Sequence, residues 1–222
     1  MPFPGAGPGV HSAEGHAVNA PRRSVAGFTL VELLISLTLL SVLLVLAAPS
    51  FGTWIRNAQV RTVSEALQNG LRVAQAEAVR RNRQVVFYLT NDEPGLGATP
   101  AANGRNWVMR WIPLPGDTVD ATAPANEPFI QGGTLADVAA AVEIGGPVAV
   151  CFNSLGRRVP NNATGVAGAT CTADIASPLA AFQITRAGAD RSLRVTVGLG
   201  GQVRQCDPAR VLGDSTPDGC PT

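Results

Sequence analysis

The chain has 222 residues, 45% hydrophobic and 15% charged, with a formal net charge of +1, enough for one domain with a real core plus a membrane segment. No lysine is present, which excludes P-loop and Schiff-base lysine chemistry. Both histidines, His11 and His16, precede the first apolar run, and from Phe28 onward 15 arginines balance 15 acids. That leaves no strong long-range pull on nucleic acid and neither the commonest general base nor the commonest metal ligand. No catalytic residue, metal or cofactor is expected.

Residues 1–26 are rich in Pro, Gly and Ala without a periodic pattern, and read as disordered and disposable. Arg22 and Arg23 then precede Gly27-Phe28-Thr29-Leu30-Val31-Glu32, which opens an apolar stretch reaching Ala48. A secretory signal would be cut after that stretch, beside Ala47-Ala48. Against this stands Glu32, because a charge at membrane depth costs about 2.5–3.5 kcal/mol and persists only with a partner. Residues 28–48 would span about 31 Å as a helix, enough for a bilayer. At Pro49 a kink is expected rather than a stop.

Trp54, Ala58, Val63, Leu67, Leu71, Ala74 and Ala78 follow at spacings of mostly three to five. Arg56, Arg61, Glu65, Arg72, Glu77 and Arg80 fill the other sides. This predicts an amphipathic continuation to about Asn82, its apolar stripe on a domain and its charged face solvated. Short apolar or alternating runs then predict strands at 85–89, 107–112, 147–152, 181–185 and 193–197. The stretches 91–105 and 113–127 read as loops, and Gly198-Leu199-Gly200-Gly201 as the turn joining a closing strand pair. Trp107 and Trp111, four apart in a strand, share one face and are expected in the core. The fold class is α+β: a long N-terminal helix, transmembrane half plus amphipathic half, on antiparallel sheet.

Cys151, Cys171, Cys206 and Cys220 form an even set beyond the membrane segment, read as disulfides in an oxidising compartment. Three connectivities are open. The local pairs, Cys151 with Cys171 and Cys206 with Cys220, are favoured, since closing about 15 residues is worth roughly 3 kcal/mol in the chain-entropy model. A zinc site is disfavoured by the absence of C-x2-C spacing.

Gly27-Phe28-Thr29-Leu30-Val31-Glu32-Leu33-Leu34 resembles the cleavage and methylation signature of type IV prepilins and type II secretion pseudopilins. The resemblance implies that a prepilin peptidase cuts after Gly27 and methylates the new amino terminus at Phe28. Glu32, the fifth mature residue, would neutralise that amine in a neighbouring subunit. The implied organisation is a leader over 1–27, a transmembrane half over 28–48, and a periplasmic domain over 49–222 that includes the helix half 53–82. A leader this long departs from the pattern, and translation is expected to start at Val18.

Cys151-Phe152-Asn153-Ser154-Leu155-Gly156-Arg157 and Leu193–Val197 with Gly201-Gln202-Val203-Arg204 resemble the FimT/GspH minor pilin group. This implies a minor pilin of a type IV pilus, held in the inner membrane and then in the fibre, with other pilins and the peptidase as partners. A minor pseudopilin of type II secretion is the alternative. Some members of the group contact double-stranded DNA through Gly-Arg-x-Arg, where this chain has Gln202 in place of the first arginine. Arg204, with Arg194, Arg186 and Arg210, is the implied set, opposed by Asp207, Asp214 and Asp218.

Overall fold

The computed structural model describes residues 27–119, 127–135, 141–175 and 177–221, with backbone alone for residues 47–50. The expected leader up to Ala26, the start at Val18 and part of the 113–127 loop lie outside the described residues. The expected kink at Pro49 falls among side chains outside them too. The chain divides into two compact units after Leu46.

Helix α1 is assigned from Leu30 to Arg81. Thr29 caps its start, its hydroxyl oxygen accepting from the Glu32 N–H at 3.2 Å. Its end is a left-handed residue, Asn82 with φ 50°. There the N–H groups of Asn82 and Arg83 donate to Val79 and Ala78 carbonyls, both at 3.1 Å. That paired closure consumes carbonyls the helix end would otherwise leave open.

In the second unit, Val60, Val63, Leu67, Leu71, Ala74 and Ala78 recur every three or four residues and are buried. The expected stripe is corrected at its start. Trp54 and Ala58 are exposed, and the buried row begins at Val60. Spacing placed Trp54 on the stripe, but its side chain is 68% exposed.

Among the described residues ten strands follow: β1 (Val85–Thr90), β2 (Asn106–Trp111), β3 (Phe129–Thr134), β4 (Val142–Gly145), β5 (Ala149–Phe152), β6 (Arg158–Val159), β7 (Leu179–Arg186), β8 (Leu193–Gly198), β9 (Val203–Val211) and β10 (Gly219–Cys220). They form two five-stranded sheets, ordered β3-β2-β1-β5-β6 and β10-β9-β8-β7-β4. All pairings are antiparallel except β10 on β9. One core joins the helix row to Phe87, Trp107, Met109 and Phe152 of the first sheet and Phe182, Ile184, Val195 and Val197 of the second.

β1 is buried at every position. Its odd-numbered residues enter the main core, while Val86 and Tyr88 join Val108, Cys151, Ala98, Ala169 and Cys171 in a second cluster on the other face. The loops carrying Ala98 and Ala169 close over that face, and the Tyr88 hydroxyl donates to the Ala98 carbonyl at 3.1 Å. Burial on both faces explains why β1 reads as an unbroken apolar run. Trp107 stacks on Phe87, with ring centroids 5.4 Å apart. Trp111 Nε1 donates to the Glu127 carbonyl at 2.8 Å. Both tryptophans are committed to packing.

The cysteines form two disulfides, Cys151–Cys171 and Cys206–Cys220, across 20 and 14 residues of sequence. The first ties the second cluster's covering loop to β5. The second holds β10 beside β9, where the Asp207 N–H donates to the Asp218 carbonyl at 2.8 Å.

Candidate functional site

The first unit is a helix with no burial of its own. Every described side chain from Gly27 to Leu46 is exposed, although most are hydrocarbon. Glu32 is the only ionisable side chain in this stretch. The Thr38 and Ser41 hydroxyls donate to the carbonyls of Ile35 and Thr38 at 2.9 and 2.8 Å. Two of the segment's hydroxyls thus donate within the helix, and its one carboxylate has no ion pair among the described residues, a composition suited to an apolar surrounding that supplies a cation. No single helix among the described residues is long and apolar enough to cross a membrane. Leu30–Leu46 and Phe51–Arg81 meet that requirement only as a pair.

In the second unit, the two stretches singled out by sequence meet at one helical side chain. Asn153 builds a tight turn after β5, its side-chain oxygen accepting from the N–H groups of Leu155 and Arg157 at 3.0 and 2.9 Å. The Gly156 N–H donates to the Asn153 carbonyl at 2.8 Å. Gly156 (φ 72°) and Gly201 (φ 88°) both adopt the left-handed conformation that suits glycine. Gln75 Nε2 donates to the Gly156 carbonyl at 2.8 Å, and Gly201 lies against both groups. Gly201 is thus a close-packing position.

Two helix neighbours extend the joint along the edge of β9. Arg72 donates to the Val203 carbonyl at 3.3 Å. The Gln68 amide, oriented by its partners, accepts from the Gln205 N–H at 3.2 Å and from Arg72 at 3.1 Å. Side chains thereby occupy backbone groups that a bare edge strand would present. Arg158 adds a link from the first sheet, its buried guanidinium donating to the carbonyls of Val197 and Ser177 at 3.2 and 3.0 Å. Burial pushes its pKa down, and its Nε has no partner among the described residues.

The four arginines named for DNA do not form one set. Val195 and Val197 face the core, so Arg194 points to the outer face, as does Arg204 opposite Thr196. Arg186 shares the parity of core-facing Phe182 and Ile184 and lies on the other face. Arg194 Nε donates to Gln183 at 3.0 Å. Arg210 pairs with Asp218 at 2.8 Å. Arg204 alone of the four is both exposed and free of an ion pair among the described residues.

Sequence reading missed Gln75, Gln68 and Arg158. Gln75 carried a signal, being a polar residue between the buried positions Leu71, Ala74 and Ala78. Arg158 carried none, since adjacent Arg157 is exposed and only the fold separates them. Among the described residues no three His, Cys, Asp or Glu side chains converge as a metal site.

A helix packed on two largely antiparallel sheets, preceded in the chain by an exposed apolar segment with one carboxylate, defines a pilin-like chain. Residues 63–201 match the family model of the type II transport protein GspH, and residues 22–48 match that of the prokaryotic N-terminal methylation motif. The chain belongs to the GspH family. Curated protein sequences yield no match. Similar solved structures include the type IV minor pilin FimU of Pseudomonas aeruginosa (strain PAO1), at 14% identity and TM-score 0.45, over 73% of this chain and 96% of that one. The minor pseudopilin EpsH from the Type 2 Secretion System of Vibrio cholerae aligns at 12% identity and TM-score 0.41, over 68% and 99%. GspH of E. coli aligns at 13% identity and TM-score 0.35, over 69% and 91%. The family assignment rests on the matched residues 63–201.

Proposed function

We propose that the chain is a minor subunit of a type IV pilus. Prepilin peptidase cuts after Gly27 and the Phe28 amine is methylated. The segment 28–48 anchors the protein in the inner membrane with its domain in the periplasm, and later packs among other pilins in the fibre. The observation that carries this reading is Glu32, one carboxylate on the otherwise uncharged, exposed segment from Phe28 to Leu46. A methylated amine on a neighbouring subunit supplies the cation that makes such a carboxylate tolerable in lipid. The action is assembly, without turnover.

The disulfide-bounded tail and the Gly201-to-Arg204 element support the pilus side. The family's description as a type II transport protein supports a second reading, a minor pseudopilin of type II secretion processed in the same way. Deleting the gene in its host separates the two. The pilus reading expects loss of surface pili with secretion intact, and lost secretion with normal pili would overturn it. Exposed Arg204 supports a third reading, DNA contact, but Gln202 and the pairing of Arg210 leave few phosphate contacts. No gel shift of duplex DNA at low salt and high micromolar protein would remove it.

A further inference from the structure

We infer that the outer face of the last helical turns, together with the 153–157 turn, docks an acidic, apolar-tipped segment of a neighbouring subunit in the fibre. The inference rests on the assembly reading above and identifies a contact surface for it.

Leu155 is 75% exposed at the tip of a turn that the Asn153 side chain and the Gly156 N–H fix from within. Gln75 fixes the same turn from the helix. An exposed leucine on a rigid platform binds without the ordering cost of a mobile loop, as interface anchors do. Val79 lies against Gly156 and is 52% exposed. From it the exposed positions Ala76 and Val73 continue at intervals of three, forming a ridge of the kind that packs into a neighbouring groove.

Charge chooses the occupant. Helix residues 72–81 and the 153–157 turn carry four arginines, Arg72, Arg80, Arg81 and Arg157, against one acid. That acid, Glu77, is shared by Arg80 and Arg81. Arg157 is exposed with no ion pair among the described residues. A cationic rim around an apolar ridge fits a partner with carboxylates around an apolar tip. A phosphate backbone would use the cations but leave Leu155, Val79 and Val73 in water, so the apolar centre favours protein over DNA.

The test uses the full chain in its host, with Leu155→Asp, Leu155→Ala and Arg157→Glu each replacing the wild type. Membrane level, the processed N-terminus and the amount in sheared fibres are measured by mass spectrometry, and retention of duplex DNA by gel shift. Each variant should be processed and accumulate normally, with fibre content down about tenfold for Leu155→Asp and Arg157→Glu and less for Leu155→Ala. Arg191→Glu, at an exposed arginine beside helix residues 54–61, should stay at wild-type content. Matched thermal melts separate this loss from misfolding. Wild-type fibre content in all three variants would overturn the inference. So would loss of duplex-DNA retention in Arg157→Glu alone, with Leu155→Asp unchanged in every readout, which would assign the surface to DNA. Absence of the wild-type chain from any fibre would overturn the assembly reading itself.

Discussion

Gly201 packs so closely on Gly156 that a Cβ added to Gly201 would lie 1.9 Å from the Gly156 carbonyl oxygen and 2.4 Å from Gln75 Nε2. Neither neighbour can retreat freely, because the first is backbone in a hydrogen-bonded turn and the second is bonded to it. Gly201→Ala should therefore destabilise the domain by about 2–4 kcal/mol, combining overlap with a strained positive φ. Urea unfolding followed by tryptophan fluorescence reads this directly. If Gly201 served only to bring Arg204 to a ligand, the midpoint would not move.

Acid should loosen the 113–117 loop and the start of the 91–105 loop. Arg83 holds the Asp117 carboxyl below its usual range, with help from the Leu114 N–H. The Thr99 hydroxyl and N–H do the same for Asp92. A depressed carboxyl stabilises the fold above its ordinary pKa, and that contribution is lost as pH falls through the lowered value. Thermal midpoints should be flat near neutrality and fall below about pH 4, with a shallower fall in Asp117→Asn. An unchanged acid limb in that variant would contradict the assigned pair.

Removing the tail staple should cost about 2–4 kcal/mol, the range expected for loops of this size. A Cys206→Ser, Cys220→Ser double variant should also lose protection from hydrogen exchange at the Asp207 N–H, which donates to the Asp218 carbonyl just before β10. Retained protection at Asp207 would show that β10 stays in place without its disulfide.

Trp111 makes two separable contacts, its Nε1 donating to Glu127 and its ring lying 5.1 Å beneath the Arg83 guanidinium. Trp111→Phe keeps most of the packing and deletes the donor, so about 1–2 kcal/mol should be lost in urea unfolding. A loss as large as a core truncation would mean that packing, not the hydrogen bond, dominates at this site.

Periodicity located the buried row from Val63 to Ala78, and apolar runs located β1, β2, β5, β7 and β8. β3 escaped because it contains Gly132 and Gly133, which read as turn residues. Both are needed where they stand, since a Cβ would meet Pro94 at 2.5 Å or the Trp107 ring at 2.6 Å. Those neighbours are remote in sequence, so no local pattern announces the strand. β4 is four residues long, and β10 exists only through tail contacts and the disulfide. At the candidate site, the glycines and the arginines were legible as residue types. Their separation into a packed joint, a paired cation and opposite sheet faces was not, because it depends on strand parity and on Gln75.

The central claim is that Gly27-Phe28 is a processing junction and Glu32 the partner of the amine it releases. Intact-mass and N-terminal analysis of the protein from host membranes tests it most directly. The account predicts a mature chain beginning with methylated Phe28. A chain that retains Gly27, or one that begins after Ala48, would contradict it.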